Sequence, residues 1–559
     1  MKKLIVGCLL AAMAAGVAVV NADTHRWGED AYSKKETNID YPTNRNFQRG
    51  WQLYGEGKFD EAEEALKKAV DDDNSNGWAY AMLSDIHYRK DEYGIAMSCA
   101  NRALDKLPVA DKEFRAFSFN MRGKVYLEMQ DTVAALRDYT AAIGLKSDYA
   151  PYYGDRAEVY YRQEQYAMAD RDYRKMVSTD AGNVVGYMGL GRNLEAQKRY
   201  DEAIEQYDKA ITMYPEYSSG YSFRASCYCS KKMYSQAIDD CISALLCDAG
   251  DNKAYACIIT TLSDSAYVMT VAKLKAQQSR TPDQAVWAFL EGVVHKRHIK
   301  NIKAIKAFKK AKIANGTNPS IYINLAECYE NIGDYETALA MVNNALMLNP
   351  DDFYYGVVKV QIEDDGGYTK QALADADALV NKYPDQAYAY YKRGWILDQN
   401  GKTDDAIDDM TMSVTLDPSY IHSYISRGAM LYKKGRIEEA NADFRKILEV
   451  DTVPEQMEGA FYAYFYLGQR DKAIKAMDEA LRADDKGKYY DAACLYSLMG
   501  DTDKSLSYLE KALQNGFRRF AHIARDEDLK NLRKNPRYKS LIDKYKKIMA
   551  EEISEARKN

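Results

Sequence analysis

Glu291, His295 and His298 fall at i, i+4 and i+7 of one helical stretch, so a single helix face presents three donors of the kind that hold zinc. Two features argue against a metal there. The pattern is not the HExxH of zinc proteases, and Lys296, Arg297 and Lys300 surround the histidines and repel a cation. No metal site is expected. Of nine cysteines, Cys8 lies in the N-terminal leader and Cys227, Cys229, Cys241, Cys247 and Cys257 cluster in sequence. They read as small buried hydrophobes. One disulfide is the alternative in an oxidising compartment, although Cys227 and Cys229 at i, i+2 of one helix point apart. No GxSxG nucleophile, phosphate-binding loop or dinucleotide fingerprint occurs in a strand–helix context. Acidic pairs such as Asp404-Asp405 and Asp408-Asp409 complement helix starts or sit on solvated faces. Neither catalytic residues nor a cofactor are expected.

The basic stretch is sharper. From Gly292 to Ala326 there is no Asp or Glu, while Lys296, Arg297, Lys300, Lys303, Lys306, Lys309, Lys310 and Lys312 add eight positive charges. Such a patch suits an acidic partner, anionic lipid headgroups or another part of the same chain. The competing reading is a solvated helix face. The chain as a whole has 77 Lys+Arg against 83 Asp+Glu, a net charge of −6. That balance, with no accompanying aromatic array, argues against nucleic acid.

With 559 residues, 47% of them apolar and 29% charged, the chain has an ordinary globular composition, and only 11 prolines leave room for many helices. Lys2 and Lys3 precede an uncharged run from Leu4 to Val20, and Val20-Asn21-Ala22 fits a cleavage site before Asp23. Residues 1–22 are therefore expected to be a signal peptide directing the chain to the periplasm or cell envelope. Ile5-Val6-Gly7-Cys8 resembles a lipobox, but the apolar run continues twelve residues past Cys8, so a lipid anchor is not expected. No other apolar run of about 18 residues exists, so no stable membrane span is expected. Residues 23–42 read as a linker.

Self-comparison exposes a period. Small residues recur at Gly50, Ser84, Gly123, Ala157, Gly191, Ala225, Gly292, Ala326, Gly394, Gly428 and Ala493, with Ile259, Val360 and Phe461 filling the remaining places. The fourteen positions span 443 residues in 13 steps, or 34.1 per step. Twelve residues after each, alanine stands in twelve of fourteen cases, from Ala62 through Ala203 to Ala473. Two small residues at fixed spacing let two antiparallel helices approach closely. Tyr or Phe precedes the alanine by three residues at Phe59, Tyr93, Tyr166, Tyr200, Tyr234 and Tyr335. Gly57, Gly333, Gly401, Gly435, Gly468 and Gly500 mark the turn between helices, where a positive φ is expected. Pro108, Pro215, Pro350, Pro384 and Pro418 end second helices. The step from Ser84 to Gly123 is 39 residues, so about five extra residues near Val109–Glu113 are expected to lengthen one connection.

One repeat reads Gly191, Tyr200-Asp201-Glu202-Ala203-Ile204, Tyr207, Ala210, Pro215. This pattern resembles the tetratricopeptide repeat (TPR) family over about residues 43–516. The resemblance implies an all-α, right-handed superhelical solenoid of about 14 helix-turn-helix repeats. Repeats 1–6 fall at 43–251, irregular repeats 7–8 at 252–318 and repeats 9–14 at 319–516, and a helical cap follows at 517–559. It also implies a concave groove, lined by the first helix of each pair, that binds a protein or peptide segment. The family's inward positions place Tyr88, Arg89, Tyr161, Arg162, Arg192, Tyr391, Lys392, Trp395 and Tyr432 in that groove, with Tyr391 and Trp395 as chief anchors. Asn120 and Lys124 stand in the reverse of the order a carboxylate clamp needs, and the next repeats do not continue one, so chaperone C-termini are not implied. The expected function is a scaffold or assembly factor of the bacterial envelope, non-enzymatic, with an envelope receptor for small ligands or glycans as the alternative. The sequence leaves the oligomeric state open.

Overall fold

The computed structural model describes residues 41–281, 284–451, 458–483 and 485–558. The expected signal peptide, the lipobox-like Cys8 and the linker up to residue 40 lie outside the described residues. Among the described residues every regular element is helical. The chain divides at Ala266 into two compact units, and Ala266 itself leaves helical geometry at φ −143°, ψ 37° within the helix Ser263–Arg280.

The first unit stacks six helix pairs, running from Arg45–Gly55 with Phe59–Asp72 to Ser218–Ser230 with Tyr234–Cys247. A short helix Asn252–Cys257 and a π-helical turn Ile258–Leu262 follow, at the repeat where Ile259 replaces the small residue. The second unit stacks seven pairs, from Ala285–Arg297 with Asn301–Ala314 to Asp485–Leu498 with Thr502–Gln514. It ends with Phe520–Arg525, a 3-10 turn Glu527–Leu529 and the 23-residue helix Pro536–Lys558.

The periodic residues make the helix–helix contacts. All twelve repeat alanines, including Ala62, Ala203, Ala338 and Ala473, are 0% exposed. The glycines at the small-residue position of the first helices, Gly50, Gly123, Gly191, Gly292, Gly394 and Gly428, face the side chain sixteen residues on. A methyl carbon on Gly191 would come within 2.5 Å of the Tyr207 ring, and one on Gly292 within 2.5 Å of Phe308. Ala203 allows no longer side chain. Ala203→Leu is expected to cost ~1–3 kcal/mol through overpacking. An unchanged denaturation midpoint would count against this helix register.

The turns between helices need one residue with positive φ. Glycine supplies it at Gly57, Gly333, Gly401, Gly435, Gly468 and Gly500, at φ 74–81°. Elsewhere Asp91, Gln130, Glu164, Lys198, Lys232 and Ile299 adopt φ 57–63°. The five extra residues before Gly123 do not simply lengthen a connection. The helix Lys112–Glu128 has 17 residues where Gly77–Arg89 has 13, because Asp111 caps a new first turn by accepting from Phe114 N–H and Trp78 Nε1–H.

A second periodic contact joins the repeats. Arg122, Arg156, Arg224, Arg393 and Arg427 each form a two-pronged ion pair with an aspartate sixteen residues later, namely Asp138, Asp172, Asp240, Asp409 and Asp443. The free guanidinium nitrogen reaches the second helix of the preceding repeat, as in Arg156 to Thr140 and Arg427 to Thr411, both at 3.1 Å. Each arginine therefore ties three helices together.

The C-terminal segment does more than close the last repeat. Leu541, Tyr545, Ile548, Met549, Ile553 and Ala556 form an apolar stripe on Pro536–Lys558, and such a stripe has to be covered. The helix crosses the repeats near Gly333 and Asp334. Arg557 forms a two-pronged pair with Asp334 at 2.7 and 2.8 Å, and Lys309 donates to the Ala556 carbonyl at 3.0 Å.

Candidate functional site

In the first unit, the inward residues of successive first helices pair with one another. Asp85 accepts from Tyr54 Oη at 2.5 Å and from Arg89 Nε at 2.7 Å, and Arg89 also stacks over Phe59. Tyr88 Oη donates to Glu128 at 3.3 Å, and Asn120 donates to Asp155. Glu158 is the centre of the next cluster. It pairs with Arg162 at 3.1 Å and Arg192 at 3.5 Å and accepts from Tyr173 Oη at 3.1 Å. The Arg192 guanidinium lies 4.8 Å from the Tyr161 ring centroid. Tyr88, Arg89, Tyr161 and Arg192 are half-buried and Arg162 is exposed, so this row of rings and paired charges remains open to contact. The geometry suits a polar segment whose backbone and charges exchange partners with the row.

In the second unit the same side is filled. Residues 517–529 lie against the first helices of several repeats. Arg519 pairs with Asp365 at 3.0 Å and reaches Glu330 at 3.4 Å, Arg525 pairs with Asp364 at 3.1 Å, and Tyr490 Oη donates to Asp526 at 2.7 Å. The Trp395 ring faces His522, with centroids 5.8 Å apart, and Tyr391 packs with Tyr420 at 5.2 Å. Lys392 donates to Gln361. Tyr432 is exposed and meets Tyr466 at 5.2 Å. The expectation of an open partner anchor at Tyr391 and Trp395 is therefore revised. Both rings line a cavity of about 290 Å³ bounded on another side by Arg519, His522, Asp526 and Asp528 of the chain's own C-terminal segment.

The electrostatics of this cavity are uneven. Burial, and then the neighbouring Asp526, push the Asp528 carboxyl up to about 7. Burial likewise raises Asp491 and Cys494, and it lowers His522, which therefore stays neutral at pH 7. Beside the cavity, next to Arg519, Glu330 is pushed up to about 8 by burial.

The basic stretch does not form one surface. Lys296 pairs with Glu327 and Asn324, and Lys309 is held by the C-terminal helix. Arg297, Lys300, Lys303, Lys306 and Lys310 are exposed, and Lys303, Lys306 and Lys310 share one face of Asn301–Ala314. The histidine cluster is closed. His295 bonds Tyr267 Oη at 2.8 Å and Glu291 at 3.2 Å, while Gln278 donates to the other Glu291 oxygen at 2.6 Å. His298 packs 4.3 Å from the Tyr267 ring. Cys227 and Cys241 are fully buried, and Cys229 and Cys257 stand with sulfurs 3.3 Å apart. The contact with Cys257, with burial, raises the Cys229 thiol, which disfavours a reactive thiolate.

Sequence reasoning missed the Asp491–Asp526–Asp528 end of the cavity. Those acids lie outside the inward positions of the repeat, and the docking of residues 517–529 brings two of them into place.

Comparison with known proteins agrees with the repeat architecture. Tetratricopeptide repeat models match residues 47–111, 184–217, 301–359, 362–421, 462–486 and 489–515. Among solved structures, the C-terminal part of a TPR repeat-containing protein from Cytophaga hutchinsonii is 16% identical, with 50% of this chain and 99% of that chain covered at a TM-score of 0.35. The MamA protein of Desulfovibrio magneticus RS-1, from residue 41 to its end, is 25% identical over 30% of this chain and 94% of that one, at a TM-score of 0.27. YrrB, described as a TPR protein with an unusual peptide-binding site, is 17% identical over 35% of this chain and 97% of that one, at 0.30. The repeat models fall in both units, on helix pairs that share the buried alanines and positive-φ turns described above, and the chain belongs to the tetratricopeptide repeat family.

Proposed function

We propose that this protein is an exported, non-enzymatic scaffold or assembly factor of the bacterial envelope, which holds a protein segment along the first helices of its first unit. The row Tyr88, Arg89, Tyr161, Arg162 and Arg192 carries this reading. It alternates aromatic rings with guanidinium groups, the side chains that most often anchor protein interfaces. Lys2, Lys3 and the apolar run Leu4–Val20 support export. No helix among the described residues is long and apolar enough to cross a membrane.

Capture of a defined envelope protein by the mature chain tests the assignment. The change Tyr161→Ala with Arg192→Ala is expected to weaken capture about thirty-fold, equivalent to ~2 kcal/mol, without altering the helical circular-dichroism signal. Capture that survives this change but fails when Lys300, Lys303 and Lys306 are neutralised would move the working surface to the basic helix. A second reading, a receptor for a small ligand, is favoured by one observation, the aromatic-walled cavity of the second unit.

A further inference from the structure

That cavity has the chemistry of a cation site. Its walls include the rings of Tyr391, Trp395, Tyr462 and Tyr466, and aromatic faces attract positive charge. Its two ends differ. At one end the acids are matched, Asp365 by Arg519 and Asp364 by Arg525. At the other, Asp491, Asp526 and Asp528 gather around Cys494. Among the described residues only Lys488, 3.5 Å from Asp491, stands within ion-pair distance of this group, apart from His522, which is 3.6 Å from Asp526 and neutral at pH 7, and Lys433 acts on Asp528 only from beyond that distance. The Asp528 carboxylate makes no hydrogen bond or ion pair among the described residues, although the residue is largely covered. A half-buried carboxylate without a partner is costly, and a ligand that brings the missing positive charge relieves that cost.

We propose that this cavity binds a small organic cation, an ammonium or guanidinium group on a short aliphatic chain, with the charge against Asp528 and Asp526 and the chain against the aromatic wall. The volume of about 290 Å³ holds a molecule or side chain of that size. A bare metal ion fits less well. Cys494, Asp526 and Asp528 do bring ligand atoms within 4.8 Å of one another. However, Cys494 is held as a thiol by burial and hydrogen-bonds Asp526, and a metal would leave the aromatic volume unused. The proposal goes beyond the interaction surface of the first unit and does not rest on it.

Calorimetry on the mature chain tests it with two amine probes, 1,5-diaminopentane as a free amine and Nα-acetyl-lysine methylamide as a peptide side chain. The neutral control is 1,5-pentanediol and the anionic one glutarate. Binding of either amine, with a raised melting temperature and no response to the controls, is expected, and the tighter of the two identifies the source of the cation. Asp528→Asn is expected to weaken that binding about tenfold or more while the ligand-free melt stays level or rises. Asp491→Asn serves as the second variant, with the same expected direction. Absence of amine binding overturns the proposal, as does an equal response to pentanediol. Zinc binding lost in Cys494→Ser, without amine binding, overturns it in favour of a metal site.

Discussion

Arg427→Ala is expected to cost the second unit about 3–5 kcal/mol, the usual penalty for removing one partner of a buried ion pair. Asp443 is 5% exposed and accepts from Arg427 at 2.6 and 2.9 Å. Burial raises its carboxyl, and the guanidinium offsets only part of that. Without Arg427 the aspartate must either lie buried and unpaired or take up a proton. The contact to Thr411 is lost as well, so two repeats separate at one point. The double change Arg427→Leu with Asp443→Leu is expected to recover most of the loss, because well-packed apolar groups replace a buried pair at little net cost. Denaturant midpoints of the two variants measure this. An equal loss in both would mean that packing of the arginine stem, not the charge left behind, sets the penalty.

This pairing was legible in the sequence and easily overlooked. The arginine sits one residue before the small residue of the first helix, and the aspartate follows it by sixteen, in five repeats. Lys359 with Asp375, at 2.7 Å, is a sixth and weaker version. Alignment on the small residues and alanines passes over it, because a charged residue beside the contact looks like surface. The five extra residues before Gly123 leave their trace here too. Arg122 reaches back to Asn101, twenty-one residues away, where Arg156 reaches back sixteen to Thr140. The period therefore predicted the buried alanines and the glycine turns well, since each depends only on its own helix pair. It carried no information on residues 517–558, which contact repeats about 150 to 250 residues earlier, as Arg557 does with Asp334 and Lys309 with Ala556. The apolar stripe of Pro536–Lys558 announced a buried face and not what covers it. For the same reason, the inward positions of the first unit remain a surface while Trp395 and Tyr391 line a cavity.

Arg519 is where that long-range docking is most exposed to a single change. Asp365 is 2% exposed and Glu330 7%. Burial pushes Glu330 up to about 8, so at pH 7 it keeps its proton and Asp365 carries the charge, held low by Arg519 against its own burial. Arg519→Ala leaves that one charge uncompensated, a penalty of about 3–5 kcal/mol if the segment stays in place. The segment can instead lift away and let water reach Asp365, which limits the cost to the strength of its docking. Several contacts resist this. Ile523 is 1% exposed, Arg525 holds Asp364, and Arg557 holds Asp334 from the following helix. The expected result is a lower melting temperature for the second unit, with faster hydrogen exchange at residues 520–529 than elsewhere in it. Arg519→Ala combined with Asp365→Asn is expected to restore most of the melting temperature, since the buried charge is gone. The loss in Arg519→Ala should also shrink from pH 7.5 to pH 5, because a buried Asp365 without its guanidinium takes up a proton well above the usual carboxylate range. A loss of equal size at both pH values would show that Arg519 acts through its stem, packed against the first helices, and not through Asp365.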